Sequence, residues 1–338
     1  MRKFIDMCQR NLAWVLLIIA CMIFGLTTPH FFSLGNIFNV LNQYAYLIIA
    51  TCGVALVMIG GELDMSIGYH MGICNILCAM MLKNTALPVW LIVVITICIS
   101  IAMGLFATFL QNLLGIPRIF VSIGLSTFYQ GVAFVLSNSK TISGFPDNFK
   151  VIAQGNFFPN ATNGMQNLTY AVVIMLVFVG IMSFVLNKTY FGRHVFAMGG
   201  NQDAARLAGI NVRKMQYAIG ALVGFFVGIS GIILMGRVGA AAAGTAAGTE
   251  INIMTGILLG GVSIRGGEGK LSNCVAGILL IGLLGNGMQL LGWNPYYQFI
   301  AKGAIMLGVM GFDCYQMHRR SVLNNRRRED QTASQEAK

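Results

Sequence analysis

Apolar residues run through this chain in blocks of about twenty, each closed by a short polar stretch. A helix crossing about 30 Å of hydrocarbon needs about 20 mostly apolar residues. By that measure, spans fall at 12–28, 39–61, 64–82, 88–110, 117–137, 168–187, 215–236, 246–264, 272–292 and 298–315. Strands of a membrane barrel would alternate in polarity over about ten residues, and no segment does so. The pattern predicts an all-α, polytopic integral membrane protein with about ten transmembrane helices. Two regions interrupt it. Spans 39–61 and 64–82 are separated only by Glu62–Asp64, and 246–264 is rich in glycine. Both read as broken or re-entrant helices, which a membrane tolerates only where they line protein or water.

Composition agrees with a lipid environment. Of 338 residues 56% are hydrophobic and 10% charged, against about 25% charged in soluble domains. The net charge of +11 is unevenly spread. With the N-terminus inside, the inner segments hold Arg2, Lys3, Arg10, Arg118, Lys188, Arg193, Arg206, Arg213, Lys214, Arg265, Lys270, Arg319, Arg320, Arg326–Arg328 and Lys338. The outer segments hold only Lys83, Lys140, Lys150 and Arg237. Basic residues collect on the cytoplasmic side, so both termini read as cytoplasmic and the number of spans as even. Arg326–Arg328 follows a span, where inside-facing charge is expected, and reads as topology and not as a nucleic-acid site. The first block is too long for a removable signal peptide and lacks a small-residue cleavage site, so it reads as a retained span. The eight cysteines lie in or beside apolar spans and read as small hydrophobes.

Enzymatic motifs are missing. His30, His70, His194 and His318 lie far apart, and neither HExxH nor Gly-Xaa-Ser-Xaa-Gly occurs. Arg265–Leu271 resembles a phosphate loop but has Ile264 and Leu271 where glycine and Ser or Thr are required. Any ATP chemistry therefore belongs to another chain, and no metal or cofactor is expected here. Ionisable residues within or beside spans are functional candidates by their cost in lipid. They are Glu62, Asp64, Glu250, Lys302 and Asp313. Asp64, with Ser66, sits at a helix break and reads equally as a helix cap. Lys302 reads as snorkelling or pairing with an acid, and Asp313 as interfacial beside Tyr315. These groups are too scattered for a proton relay.

Two polar stretches stand out. The outer one, 138–167, is rich in Asn, Ser, Gly, Phe and Pro and reads as a connector or a partner-facing surface. Its Asn160 and Asn167 sequons matter only in a secretory compartment. The inner stretch, 188–214, holds a short helix with Asn201 as N-cap, Asp203 in the first turn and Gly209 at C′. Its body, Ala204, Ala205, Arg206, Leu207 and Ala208, is small enough for another surface to approach closely, so it reads as a docking element for a cytoplasmic partner. An internal echo relates Gly60-Gly61 and the following Leu63–Gly68 to Gly260-Gly261 and the following Val262–Gly267. It fits a parallel duplication, although close helix packing alone also uses such glycine pairs.

These segments together resemble the permease subunits of bacterial ATP-binding-cassette (ABC) importers for monosaccharides, of the ribose, galactose and xylose type. GRHVFAMGGNQDAARLAGINV (192–212) is similar to the family's cytoplasmic loop. Tyr217, Gly220, Gly231, Arg237, Glu250-Ile-Asn, LLGGVSIRGGEGKL (258–271), Asn286-Gly287 and Gly303 continue the likeness. Gly61–Gly68 and Gly115–Gly124 resemble two first-half signatures. The chain departs at Glu62, where a second glycine is usual, at Gln130, where arginine is common, at Ser122, which replaces threonine, and at Arg118 after Pro117.

The resemblance implies a single permease domain over 1–338, with a coupling loop within 188–214 and a basic cytoplasmic tail at 316–338. It assigns Gly199, Gly200, Asn201, Asp203, Ala204, Ala205, Arg206 and Gly209 to ATPase coupling. Gly61, Asp64, Ser66, Gly68, Glu250, Gly260, Gly261 and Asn286 become pathway or signature positions. It implies a cytoplasmic ATPase carrying ATP and Mg, a second permease chain, identical or different, and a periplasmic sugar-binding protein, in a bacterial inner membrane. The cargo would be a monosaccharide or a related polyol or nucleoside. A secondary, ion-coupled carrier of small polar solutes is the competing reading.

Overall fold

The computed structural model describes residues 11–29, 31–158, 168–294, 296–301, 303–308 and 311. Lys302, Asp313, the sequons at Asn160 and Asn167, and the tail 316–338 lie outside these. The chain divides into two units, residues 1–293 and 294–338. In the second, 296–301 and 303–308 are helical.

In the first unit the helices are α1 (Leu12–Thr27), α2 (Leu34–Ile59), α3 (Ile67–Asn84), α4 (Val89–Leu114), α5 (Arg118–Ser137), α6 (Asp147–Gln154), α7 (Tyr170–Lys188), α8 (Tyr190–Gly200), α9 (Gln202–Leu207), α10 (Val212–Val238), α11 (Thr249–Leu259) and α12 (Leu271–Leu290). The named strands are two residues each, β1 (Ile142–Ser143) and β2 (Ala240–Ala241), paired antiparallel. The protein is therefore an all-α polytopic membrane protein. Among the described residues six helices, α2, α4, α5, α7, α10 and α12, are long and apolar enough to cross a membrane.

Local chemistry sets the helix limits. Ser33 caps α2 by accepting from Asn36 N. Pro88 and Pro117 precede α4 and α5, where proline's missing N–H costs nothing, and Gly115 ends α4 in the left-handed conformation. Span 39–61 begins earlier than the hydropathy implied, at Leu34, because Asn36, Asn39, Asn42 and Gln43 lie inside the helix. The break between α2 and α3 is longer than Glu62–Asp64 and covers 60–66. The expected span 246–264 contains only the eleven residues of α11, preceded by the turns of 242–248.

The helices sort into a core and a rim. α2, α10 and α12 are mostly buried, whereas α4, α5 and α7 turn Phe106, Phe109, Phe120, Phe128 and Phe184 outward. Exposed aromatic faces of this extent require lipid as their solvent. Packing against the core relies on small residues. A Cβ on Gly104 of α4 would overlap the carbonyl oxygen of Gly220 on α10, so the two backbones nearly touch. Ser100 of α4 donates to Gly224 O at 2.6 Å, and its Oγ lies 2.9 Å from His70 Nε2 on α3. With its one proton committed to the carbonyl, the hydroxyl accepts from the histidine, which ties α3, α4 and α10 together.

Gly104→Val should lower the thermal stability of the detergent-purified chain by roughly 1–3 kcal/mol, the usual scale of overpacking. Gly124→Ala, at an exposed position with open space around it, should not. Thermal unfolding followed by size-exclusion chromatography distinguishes the two outcomes.

Candidate functional site

The repeated glycine pairs form the same turn twice. After α2, Gly60 N donates to Leu56 O, Gly61 N to Met58 O and Glu62 N to Val57 O. After α11, Gly260 N donates to Gly256 O, Gly261 N to Leu258 O and Val262 N to Ile257 O. Gly61 and Gly261 have φ of 82° and 77°. This is the Schellman cap, which satisfies carbonyls at a helix end and needs a left-handed residue at C′. Both interrupted helices thus stop without leaving their last backbone groups unpaired in an apolar setting.

The two turns meet. Gly267 N donates to Ile59 O at 2.7 Å, and a Cβ on Gly266 would overlap Gly61. Gly199, near the end of α8, completes the contact, since any side chain there would overlap Ile59 O and Gly267 N. The glycines of the phosphate-loop lookalike therefore serve backbone-to-backbone packing. We call this region the glycine end of the unit. The β1–β2 ribbon, reached through α5 and α10, marks the ribbon end.

From this contact the chain passes directly into α9. Asn201 caps it by accepting from Ala204 N at 2.9 Å. Gly209, at φ 85°, closes it with another Schellman pattern, Gly209 N to Arg206 O and Ile210 N to Ala205 O. The caps expected at Asn201 and Gly209 are both present. Ala205 alone of the helix body is buried, while Ala204, Arg206, Leu207 and Ala208 face outward, Leu207 at 90% exposure. Asp203 and Arg206 form an exposed pair at 3.2 Å, worth little energetically.

Asp64 lies in the first turn region, 1% exposed, and Arg118 faces it at 2% exposure. Arg118 Nη2 and Nε reach Asp64 Oδ2 at 2.8 and 3.0 Å, and Nη1 donates to Thr108 Oγ1 at 3.2 Å. Ser66 donates to the other carboxylate oxygen through its backbone N at 2.9 Å and its hydroxyl at 2.6 Å. Two fully desolvated charges are tolerable only with such complete hydrogen bonding. Met65 N donates to Ser122 Oγ at 2.9 Å, so the residue that replaces threonine still anchors the break. Glu62 accepts from Gln111 of α4 at 2.5 Å and Gln216 of α10 at 2.8 Å. An open cavity of about 490 Å³ adjoins these groups, lined by Glu62, Gln111, Arg118, Gln202, Arg206 and Arg213 among others.

The remaining sequence-assigned positions divide. Gly68 lies against Glu250, whose Oε1 accepts from Gly248 N at 3.2 Å. Gly200 touches Gly267, and Gly260 packs on Cys274 at the start of α12. Asn286 lies apart from the site, in a reciprocal amide pair with Asn36 at 3.0 and 3.1 Å. Sequence reasoning missed Arg118, which it counted as a loop charge. The available signal was a cation in the first turn of a helix, where the dipole disfavours it.

The family described as branched-chain amino acid transport system, permease component, matches residues 36–310. The chain belongs to this family. The permease is 31% identical over 293 residues to the probable ABC transporter permease protein YphD of Escherichia coli (strain K12), covering 87% of this chain and 86% of that protein. It is 28% identical over 333 residues to the galactose/methyl galactoside import permease protein MglC of the same strain, covering 94% and 98%. The ribose import permease protein RbsC of Haemophilus influenzae is 28% identical over 304 residues, covering 90% and 92%. No solved structure matches the permease. As a family member it is a transport subunit and not an enzyme.

Removing one partner of the Asp64–Arg118 pair should cost roughly 3–5 kcal/mol, because the other charge stays buried. Asp64→Asn and Arg118→Met should each lower the unfolding temperature in detergent. The double variant should be more stable than the sum of the single losses implies, as a double-mutant cycle on one interaction requires.

Proposed function

We propose that this chain is the membrane-spanning permease subunit of an ABC importer for a monosaccharide or related polyol, working in the bacterial inner membrane. It spans the bilayer ten times with both termini cytoplasmic, so that the glycine end and α9 face the cytoplasm. A cytoplasmic ATPase holds ATP and Mg, a periplasmic binding protein delivers the cargo, and a second permease chain completes the pore.

One observation carries the reading. α9 offers Leu207 and Arg206 to an outside partner, and the same segment packs through Gly199 on the end of α2 at Ile59 and on Gly267 of the segment that follows α11. A force applied to α9 therefore bears directly on the end of α2 and on the 262–270 segment, which suits rigid-body switching of a pathway. Relatives named as galactose and ribose import permeases, alike over nearly the full length, support the sugar class. The family description names branched-chain amino acids, which makes leucine the discriminating competitor.

Proteoliposomes holding the permease, its ATPase and its binding protein should accumulate labelled ribose, galactose or arabinose only with internal ATP. Excess leucine should not compete. Uptake driven by a proton or sodium gradient through the permease alone would establish the secondary carrier instead. Gly209→Val, forced into a left-handed backbone, and Arg206→Glu, facing Asp203, should keep ATP hydrolysis. Their uptake should fall about tenfold or more, the scale of an ordinary coupling free energy. Wild-type uptake in both variants would remove α9 from the coupling path.

A further inference from the structure

The ribbon end holds a second open cavity, also of about 490 Å³, whose lining includes Asn36, Asn39, Asn42, Gln154, Asn156 and Arg237. Amides on a membrane helix are costly unless they find partners. Yet α2 concentrates Asn36, Asn39, Asn42 and Gln43 in its first ten residues and has no amide or charge in the sixteen that follow. Several of the lining groups are locked in place. Asn36 pairs with Asn286, and Asn42 Oδ1 accepts from Thr169. Gln154 Nε2 donates to Gly236 O and Arg237 O, and Arg237 Nη1 to Gln43 O. These bonds fix the wall and leave other polar groups without partners among the described residues. They are the Asn39 and Asn156 amides, Gln154 Oε1 and the other guanidinium nitrogens of Arg237.

The unclaimed set has a definite chemistry. An amide both donates and accepts, as a hydroxyl does, so paired amides suit vicinal hydroxyl groups. Among the described residues the wall contains no carboxylate to hold a cation. The one guanidinium among the described lining residues, that of Arg237, is shared with a backbone carbonyl, too little to define an anion site. The volume falls within the range of small-molecule sites. Among the described residues no aromatic ring lines the cavity, so these walls offer a sugar ring no stacking platform and binding is weak. Weak binding suits a conducting route, where cargo must leave as readily as it enters.

We propose that this basin is a low-affinity site for a neutral, polyhydroxylated molecule of monosaccharide size, at the mouth where cargo enters the permease. The proposal rests on the importer reading above and adds a site to it.

The test uses the permease–ATPase complex in lipid nanodiscs, without the binding protein, and saturation-transfer NMR with D-ribose, D-galactose and L-arabinose. Saturable signals with half-saturation on the order of millimolar are expected. Asn39→Ala combined with Asn156→Ala should weaken them about tenfold, the effect of two hydrogen bonds. Both residues are exposed, so the variant should remain monodisperse. No saturable binding to the wild type, or binding unchanged in the double variant, overturns the site. So does tighter binding of gluconate that disappears in Arg237→Gln, which would make the basin an anion site. ATP-driven uptake by the same complex, supplied with binding protein, separates the two readings. Uptake without amide-dependent binding removes the site and leaves the importer standing, while uptake of none of the sugars removes the importer and the site with it.

Discussion

The rest of the site depends on backbone touching backbone where Gly199, Ile59 and Gly267 converge. Three chain segments far apart in sequence approach so closely that no side chain fits between them. One ends α2, one follows α11 and one leads into α9. Side chains on flexible stems absorb displacement, whereas contacts between main chains transmit it. The glycines at this point therefore act as bearing surfaces as well as turns. Their positions tie α9, a helix of only six residues, closely to the end of α2 and to the segment after α11.

Interrupting a helix in lipid raises two costs, unpaired backbone groups and any charge used to hold the break. The Schellman caps answer the first at both turns. At the first break the second is met by Asp64, Arg118, Ser66 and Thr108, which satisfy one another inside the protein. The arrangement joins the α2–α3 break to the start of α5 and to α4. Glu62, the departure from the family's glycine, adds a carboxylate that draws Gln111 and Gln216 together from α4 and α10. Charge in this region is thus a fastening between helices.

Much of this was legible in the sequence because the bilayer restricts the solutions. Long apolar blocks imply helices, and glycine pairs flanking polar residues imply breaks, so 39–82 and 246–264 were identifiable as interrupted. The caps of α9 were legible for the same local reason, since Asn201 and Gly209 act within their own turn. What was not legible is pairing across distance. Arg118 counts equally as a loop charge until the fold brings α5 against the break, and Asn286 was grouped with the glycine-end positions by resemblance although its partner is Asn36. The early start of α2 was hidden because its amides lower hydropathy where the helix continues.

The two repeats share a turn and differ in how it is braced. The first break is fastened by a buried ion pair and by the hydrogen bond from Met65 N to Ser122. The second, 262–270, runs through Gly266, Gly267 and Gly269, all with positive φ, and its Arg265 side chain is not engaged with a buried acid among the described residues. A duplicated hairpin with identical caps at both ends would resist deformation equally in each half. Here the bracing is unequal, because separating a buried ion pair leaves a charge unpaired in the protein interior. The second break is held instead by backbone contacts, Gly266 against Gly61 and Gly267 against Gly200.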